Sequence, residues 1–390
     1  MKKIFGILIL ILGAITLPLT FVNAQLKSTA TLKPKAKNSS KAVIKQNNTK
    51  QLQKARNLIK TKKYDEALKI VRPLAENGEA DAQIFLGLIY SFGKGITKDY
   101  AKAMKWYSKA AEQGNVKIQT SLGGMCYIGQ GVPKNYTEAV KWYSKAAAQG
   151  DPEAHVVLGG MYYNGVGVKK DYEKTVEFYR KATELGYAPA QYNLGLIYRK
   201  GVGVKKNYEK AIELYRKATD QGYAPAQYNL GFMYKFGFGV KKDYEKAVKW
   251  YKKSAYQGYP EAQFRLGYMY DIGEGVKQNY KEALKWYTKA ANKGFDEAQY
   301  NLGLMYYNGR GMNKNPKEGL KWYNKAARQG LAQAQHVLSL IYFSGKEVKE
   351  DYIEAYKWAA LAAAQNNKYA EFRDKIKKQM TKEQLAAIKK

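Results

Sequence analysis

Few side chains in this 390-residue sequence could carry covalent or metal chemistry, and those few lack partners. A histidine acts as base or metal ligand only beside a second group, and the two here, His155 and His336, are far apart in the chain. His155 also stands where Gln83, Gln119, Gln191, Gln227, Gln263, Gln299 and Gln335 stand elsewhere, which makes it a packing residue. Ser91 and Lys94 match Ser-x-x-Lys, the nucleophile motif of penicillin-recognising acyl enzymes, but no Lys-Thr-Gly or Ser-Asp-Asn accompanies them. The single cysteine, Cys126, can form no disulfide within the chain and occupies a slot otherwise filled by tyrosine. Gly-x-Gly loops suggest phosphate cradles, yet they follow helical rather than strand patterns and recur along the chain. The sequence therefore assigns no catalytic residue, no metal site and no cofactor.

The elements that carry these residues repeat. Glycines at 78, 114, 150, 186, 222, 258, 294 and 330 are 36 residues apart without insertion, which defines eight units over 78–365. In each unit apolar residues recur three and four apart on both sides of a Gly-x-Gly loop, predicting two short amphipathic helices. Asp99, Asn135, Asp171, Asn207, Asp243, Asn279, Asn315 and Asp351 are placed to cap the second helix. Gly93 and its equivalents are placed to end the first, and in the last unit Gly345 remains while its partner becomes Glu347. All six tryptophans fall in one slot, with Phe178 and Leu214 in the remaining two, which predicts buried indoles. Such hairpins cannot bury both faces alone, so consecutive units are expected to stack.

Lys plus Arg total 67 against 33 Asp plus Glu, a net charge of +34 carried mostly by lysine. Lysine is a point charge, so this favours diffuse attraction to an anionic glycan or lipid surface over base-specific reading of nucleic acid. Residues 1–24 carry Lys2, Lys3, an apolar run from Ile4 to Val22 and small residues Val22 and Ala24, the pattern of a signal peptide cut before Gln25. The expected location is periplasmic or secreted, with an uncleaved membrane anchor as the alternative. Residues 25–48 are Lys-rich and polar and are expected to be a disordered basic arm.

The repeated motifs resemble the Sel-one-like repeat family, a 36-residue relative of tetratricopeptide repeats, over about three quarters of the chain. Residues 49–77 are similar to a shorter tetratricopeptide-type hairpin, with Tyr64, Ala67 and Ile70 in the second-helix slots, and would cap the N-terminus. Residues 366–390 would close the other end, Thr381 and Gln384 forming a capping box. The resemblance implies an all-α, right-handed α/α superhelical solenoid of stacked helical hairpins whose first helices line a groove. It also implies a non-enzymatic adaptor for a protein partner, in the cell envelope given the leader. Some cysteine-rich secreted relatives are linked to β-lactam binding or hydrolysis, but this chain lacks their cysteines, so a cell-wall or β-lactam hydrolase rests on family association only. In that frame the first helices should present Tyr192, Tyr228, Phe264 and Tyr300 in one slot, with Arg199 and Lys235 seven residues on from the first two, as the partner-binding column. The competing expectation is that these rings seal one repeat against the next.

Overall fold

The computed structural model describes residues 40–388, which fall into two compact units, one ending at Asn207 and one beginning at Tyr208. The leader and the arm up to residue 39 lie outside the described residues. The first unit contains α1 (Ser40–Lys60), α2 (Tyr64–Glu76), α3 (Ala80–Phe92), α4 (Tyr100–Glu112), α5 (Val116–Ile128), α6 (Tyr136–Ala148), α7 (Pro152–Asn164), α8 (Tyr172–Glu184) and α9 (Ala188–Lys200). The second contains α10 (Tyr208–Asp220), α11 (Ala224–Phe236), α12 (Tyr244–Tyr256), α13 (Pro260–Ile272), α14 (Tyr280–Asn292), α15 (Asp296–Asn308), α16 (Pro316–Arg328), α17 (Ala332–Ser344), α18 (Tyr352–Gln365), α19 (Ala370–Gln379) and α20 (Lys382–Ala387). No strand occurs among the described residues, and the fold is an all-α solenoid of consecutive stacked pairs. Within each unit, a first helix packs on its own second helix and on the second helix of the hairpin before it.

The N-terminal hairpin is longer than composition suggests. Helix α1 begins at Ser40, so residues 40–48 belong to it and not to an arm. Lys, Gln and Ala propagate a helix well once a tertiary contact anchors it, and Asn48 supplies one by donating to Glu79 Oε2 at 3.2 Å. Leu52 and Ala55 then bury against Ala67 and Val71 of α2.

Each interhelical loop is specified at three points. The first helix ends on a glycine in the left-handed region, as at Gly165 with φ +70°. The chain then returns so that the cap residue donates its N–H back to the first helix, Asp171 to the Tyr162 carbonyl at 3.0 Å and Asp243 to the Tyr234 carbonyl at 2.9 Å. The cap side chain accepts from the N–H three residues on, at 2.8–3.1 Å for Asp99, Asn135, Asp171, Asp243, Asn279, Asn315 and Asp351. The second glycine of the loop is a docking point as well as a turn. A Cβ on Gly275 would sit 2.5 Å from the carbonyl oxygen of Tyr244, which opens the second helix of the preceding hairpin.

In most hairpins a tyrosine of the second helix is buried at least as deeply as the tryptophan beside it. Tyr215, Tyr251, Tyr287 and Tyr323 are fully buried, whereas Trp106, Trp250 and Trp358 are only half-buried, a correction to the expectation of hidden indoles. Trp142, Trp286 and Trp322 are buried as expected. The reason is geometric: the tyrosine ring lies across a glycine of the first helix, and the larger indole is left at the outer seam. At the C-terminus, Ile376 and Met380 cover Ala355 and Ala359 of the last hairpin. Thr381 and Gln384 form a reciprocal capping box at the start of α20.

Gly275→Ala should destabilise the second unit by about 2 kcal/mol more than Gly294→Ala in urea denaturation followed by circular dichroism. Both glycines have positive φ, but a Cβ at 294 meets nothing within 4 Å. Equal losses would show that backbone conformation alone demands glycine at 275.

Candidate functional site

The residues expected to form the binding column stand at the seams between hairpins. In the first unit Tyr192 is 5% exposed and Arg199 is half-buried. In the second, the Tyr228 ring lies 5.6 Å from Tyr251 and 5.5 Å from Tyr259, so it bridges its own hairpin and the start of the next. Phe264 is 8% exposed, with Tyr287 at 5.9 Å, Phe295 at 5.2 Å and the Arg265 guanidinium 5.3 Å from its ring centre. Tyr300 is half-buried, 5.7 Å from Tyr323. Lys235 is buried, ion-paired to Glu274, and 5.0 Å from the Tyr268 ring. These placements are those of junction packing, with the charge of Lys235 already answered inside the second unit.

The outward face of the first helices is turned one residue further round. In the second unit it runs through Phe232 and Phe236 of α11, then Arg265, Tyr268 and Ile272 of α13. It continues through Asn301, Leu304 and Asn308 of α15, then Val337, Leu340 and Ser344 of α17. One residue is about 100° of helix, enough to move a side chain from seam to surface. Phe236 and Ile272 are each 47% exposed and Leu340 is 40% exposed. Phe232 stacks 4.6 Å from Phe236, and Phe238 lies 5.9 Å from each, which makes an aromatic cluster open on one side. In the first unit the same register carries exposed Phe92 at the end of α3 and exposed Lys200 at the end of α9, whereas Asn193 and Leu196 of α9 are buried.

Chemistry-bearing side chains are committed to structure. The Ser91 hydroxyl donates to the Gly87 carbonyl at 2.9 Å and lies 3.2 Å from the Tyr107 hydroxyl. His155 Nδ1 is 2.8 Å from the Asp151 carbonyl, with the ring edge-on to Phe178. His336 is held between Tyr369 and Phe372, and burial pushes its pKa down, keeping it neutral. Burial also pushes the Cys126 thiol up. Among the described residues no group of three His, Cys, Asp or Glu comes together. The one strongly shifted carboxyl is Glu153 at the start of α7, pushed up to about 7 by burial and then by Asp151.

Phe264→Ala should cost the second unit about 3 kcal/mol in denaturant unfolding, because it empties a junction, whereas Phe236→Ala should cost under about 1 kcal/mol. Similar costs would place both rings in the same environment. Glu153 has a folded pKa above its model value of 4.5, so its stability contribution is greatest below that value and falls as pH rises towards about 7. Glu153→Gln should remove a stability loss of roughly 2 kcal/mol across that window, read from denaturation midpoints at successive pH values.

The repeat geometry has counterparts. The Sel1 repeat family matches at residues 80–115, 119–151, 152–187, 188–223, 224–259, 260–295, 296–331 and 332–367. A Sel1 repeat protein from Oxalobacter formigenes has a crystal structure 31% identical in sequence, covering 81% of this chain and 99% of that one, with a TM-score of 0.69. A protective antigen, c5321, present in uropathogenic Escherichia coli strains and displaying an SLR fold, is 31% identical over 90% of this chain and 93% of its own, with a TM-score of 0.48. No curated protein matches significantly. Sel1-repeat proteins generally mediate protein–protein interaction as non-catalytic scaffolds. With eight matches spanning most of its length, the chain belongs to the Sel1 repeat family.

Proposed function

We propose that this protein is a non-enzymatic envelope scaffold that holds an extended peptide segment of a partner along the outward face of its first helices. The observation that carries the reading is the row of solvent-facing Phe236, Ile272 and Leu340 at one register of the first helices, with Phe232 and Tyr268 beside them. An exposed apolar strip is costly to leave in water, and a partner that covers it gains that area. Polar side chains stand at the same register, half-buried Asn301 and exposed Asn308 on α15, and can hydrogen-bond the backbone of an extended segment. The expected rings at 192, 228, 264 and 300 act in this reading by fixing the spacing of the helices that present the face. Envelope location rests on the apolar run and the Val22-x-Ala24 pattern, and the mature chain should begin at Gln25 on N-terminal sequencing.

A photo-crosslinking residue tests the face in the source cells. Ile272→p-benzoylphenylalanine should give a discrete partner adduct, and the same replacement at exposed Lys249 on α12 should not. Adding Phe236→Ser should lower the yield at 272 at least about fivefold with helical circular dichroism unchanged, as for loss of a contact worth about 1 kcal/mol. Equal adducts at both positions would exclude this face as the docking surface.

A further inference from the structure

A second surface, separate from the first-helix face, is built from lysine. Lys98, Lys134, Lys170 and Lys206 of the first unit are 36 residues apart, and each follows a helix-ending glycine by five residues. Their stems are seated on those helix ends: a Cβ on Gly93, Gly129, Gly165 or Gly201 would meet the lysine Cβ at 3.2, 3.3, 3.3 and 2.9 Å. The ammonium groups of the first three lie 4.5, 5.8 and 5.9 Å from the ring centres of Tyr100, Tyr136 and Tyr172. The result is a cation at a fixed backbone position after Gly93, Gly129, Gly165 and Gly201 of the first unit, along the edge formed by its interhelical loops; in the second unit the slot holds Lys242 and Lys314 but also Gln278 and Glu350.

The third hairpin adds more. Lys169, Lys170 and Lys174, with Tyr162, Val168 and Asp171, line an open hollow of about 440 Å³. Lys174 lies over the Tyr162 ring at 5.1 Å. The sole acid, Asp171, spends one oxygen as helix cap on the Lys174 N–H at 2.9 Å, so three cations meet one carboxylate. The positive end of α8 opens at the same place. In the second unit Lys241, Lys242 and Lys246 repeat the arrangement, with Lys242 4.4 Å from the Tyr244 ring.

We propose that this loop edge binds a linear polyanion carrying phosphate or sulfate groups, lying along the row of hairpins. A polymer fits because Lys98, Lys134, Lys170 and Lys206 recur at a constant sequence period, one per loop of the first unit, rather than converging on one point. Lysine fits because point charges on aliphatic stems attract a phosphate without requiring the bidentate geometry that arginine reads. Seating the stems in advance lowers the ordering cost of binding.

The test uses the full chain and a fluorescent linear inorganic polyphosphate, with phosphatidylcholine vesicles containing or lacking phosphatidylglycerol as the second arm. The triple variant Lys169→Gln, Lys170→Gln, Lys174→Gln is compared with Lys105→Gln, Lys141→Gln, Lys181→Gln, which removes the same charge from exposed second-helix positions. The edge triple should weaken polyphosphate binding at least about tenfold at physiological salt and flatten the log–log salt slope by about two, against less than about threefold for the control. Circular dichroism checks folding, and Lys169→Gln alone gives the same comparison with one charge removed. Equal losses in the two triples would mean diffuse attraction and overturn the proposal, as would binding to anionic vesicles but not to polyphosphate. Neither result bears on the peptide-binding face, where none of these lysines stands.

Discussion

Everything in the hairpin follows from one close approach, a tyrosine ring of the second helix laid across a glycine of the first. A Cβ on Gly123, Gly159, Gly231, Gly267 or Gly303 would fall 2.5–2.9 Å from Tyr143, Tyr179, Tyr251, Tyr287 or Tyr323, where no side chain fits. The pairing is reciprocal within this one sequence. In the last hairpin the glycine becomes Ser339 and the facing tyrosine becomes Ala359, both fully buried, so a larger residue on one helix is matched by a smaller one on the other. With the interhelical distance set this way, the indole stands beside the tyrosine, buried at Trp142, Trp286 and Trp322 and half-buried at Trp106, Trp250 and Trp358, and the rings of the first helix meet the next hairpin.

A polar device then ties each hairpin to its neighbour. Gln119 donates to the Ala111 carbonyl at 2.9 Å, closing the end of the preceding second helix, and its own oxygen accepts from Gln149 at 2.8 Å. Gln299 and Gln335 do the same, with Ala291 and Gln329, and with Ala327 and Gln365. A buried amide with donor and acceptor both used fixes register as apolar contact alone does not. His155 interrupts the series: its ring nitrogen bonds to Asp151 and the C-cap amide is replaced by Leu185. One of the two histidines of the sequence is thus a variant joint.

The periodic features were legible because they are local. Caps at Asp99 or Asn279 and turns at Gly93 or Gly273 need only the neighbouring residues to be satisfied, so their spacing carries the whole instruction. The candidate face was not legible to the same accuracy, because the helical pattern marks every apolar slot without saying which neighbour covers it. Phe264 and Ile272 are both large and apolar and both recur on first helices, yet one meets Tyr287 and Phe295 and the other meets water. Only the position of the next hairpin distinguishes them, and that is a tertiary fact. The extent of α1 escaped for a related reason, since Asn48 gains its partner from Glu79, in the turn before α3.

The lysine excess and the recurring indoles are two sides of one solution. Trp106, Trp142, Trp250, Trp286 and Trp322 each carry the ammonium of the lysine three residues on, 3.8–4.5 Å from the ring centre. The lysine stem covers apolar ring surface while its head stays in water, and the charge is favoured over the π face. The second helices can therefore use large aromatic residues at their seams without offering a sticky surface to other molecules. Apolar area is still left exposed in the second unit, at Tyr256 and Leu361 on second helices and at Phe236, Ile272 and Leu340 on first helices, with Lys235 5.9 Å from the Phe236 ring centre. The first-helix residues recur at one register on successive hairpins, and a strip set among like charges gains specificity for whatever fits it, because competing positions are made unfavourable.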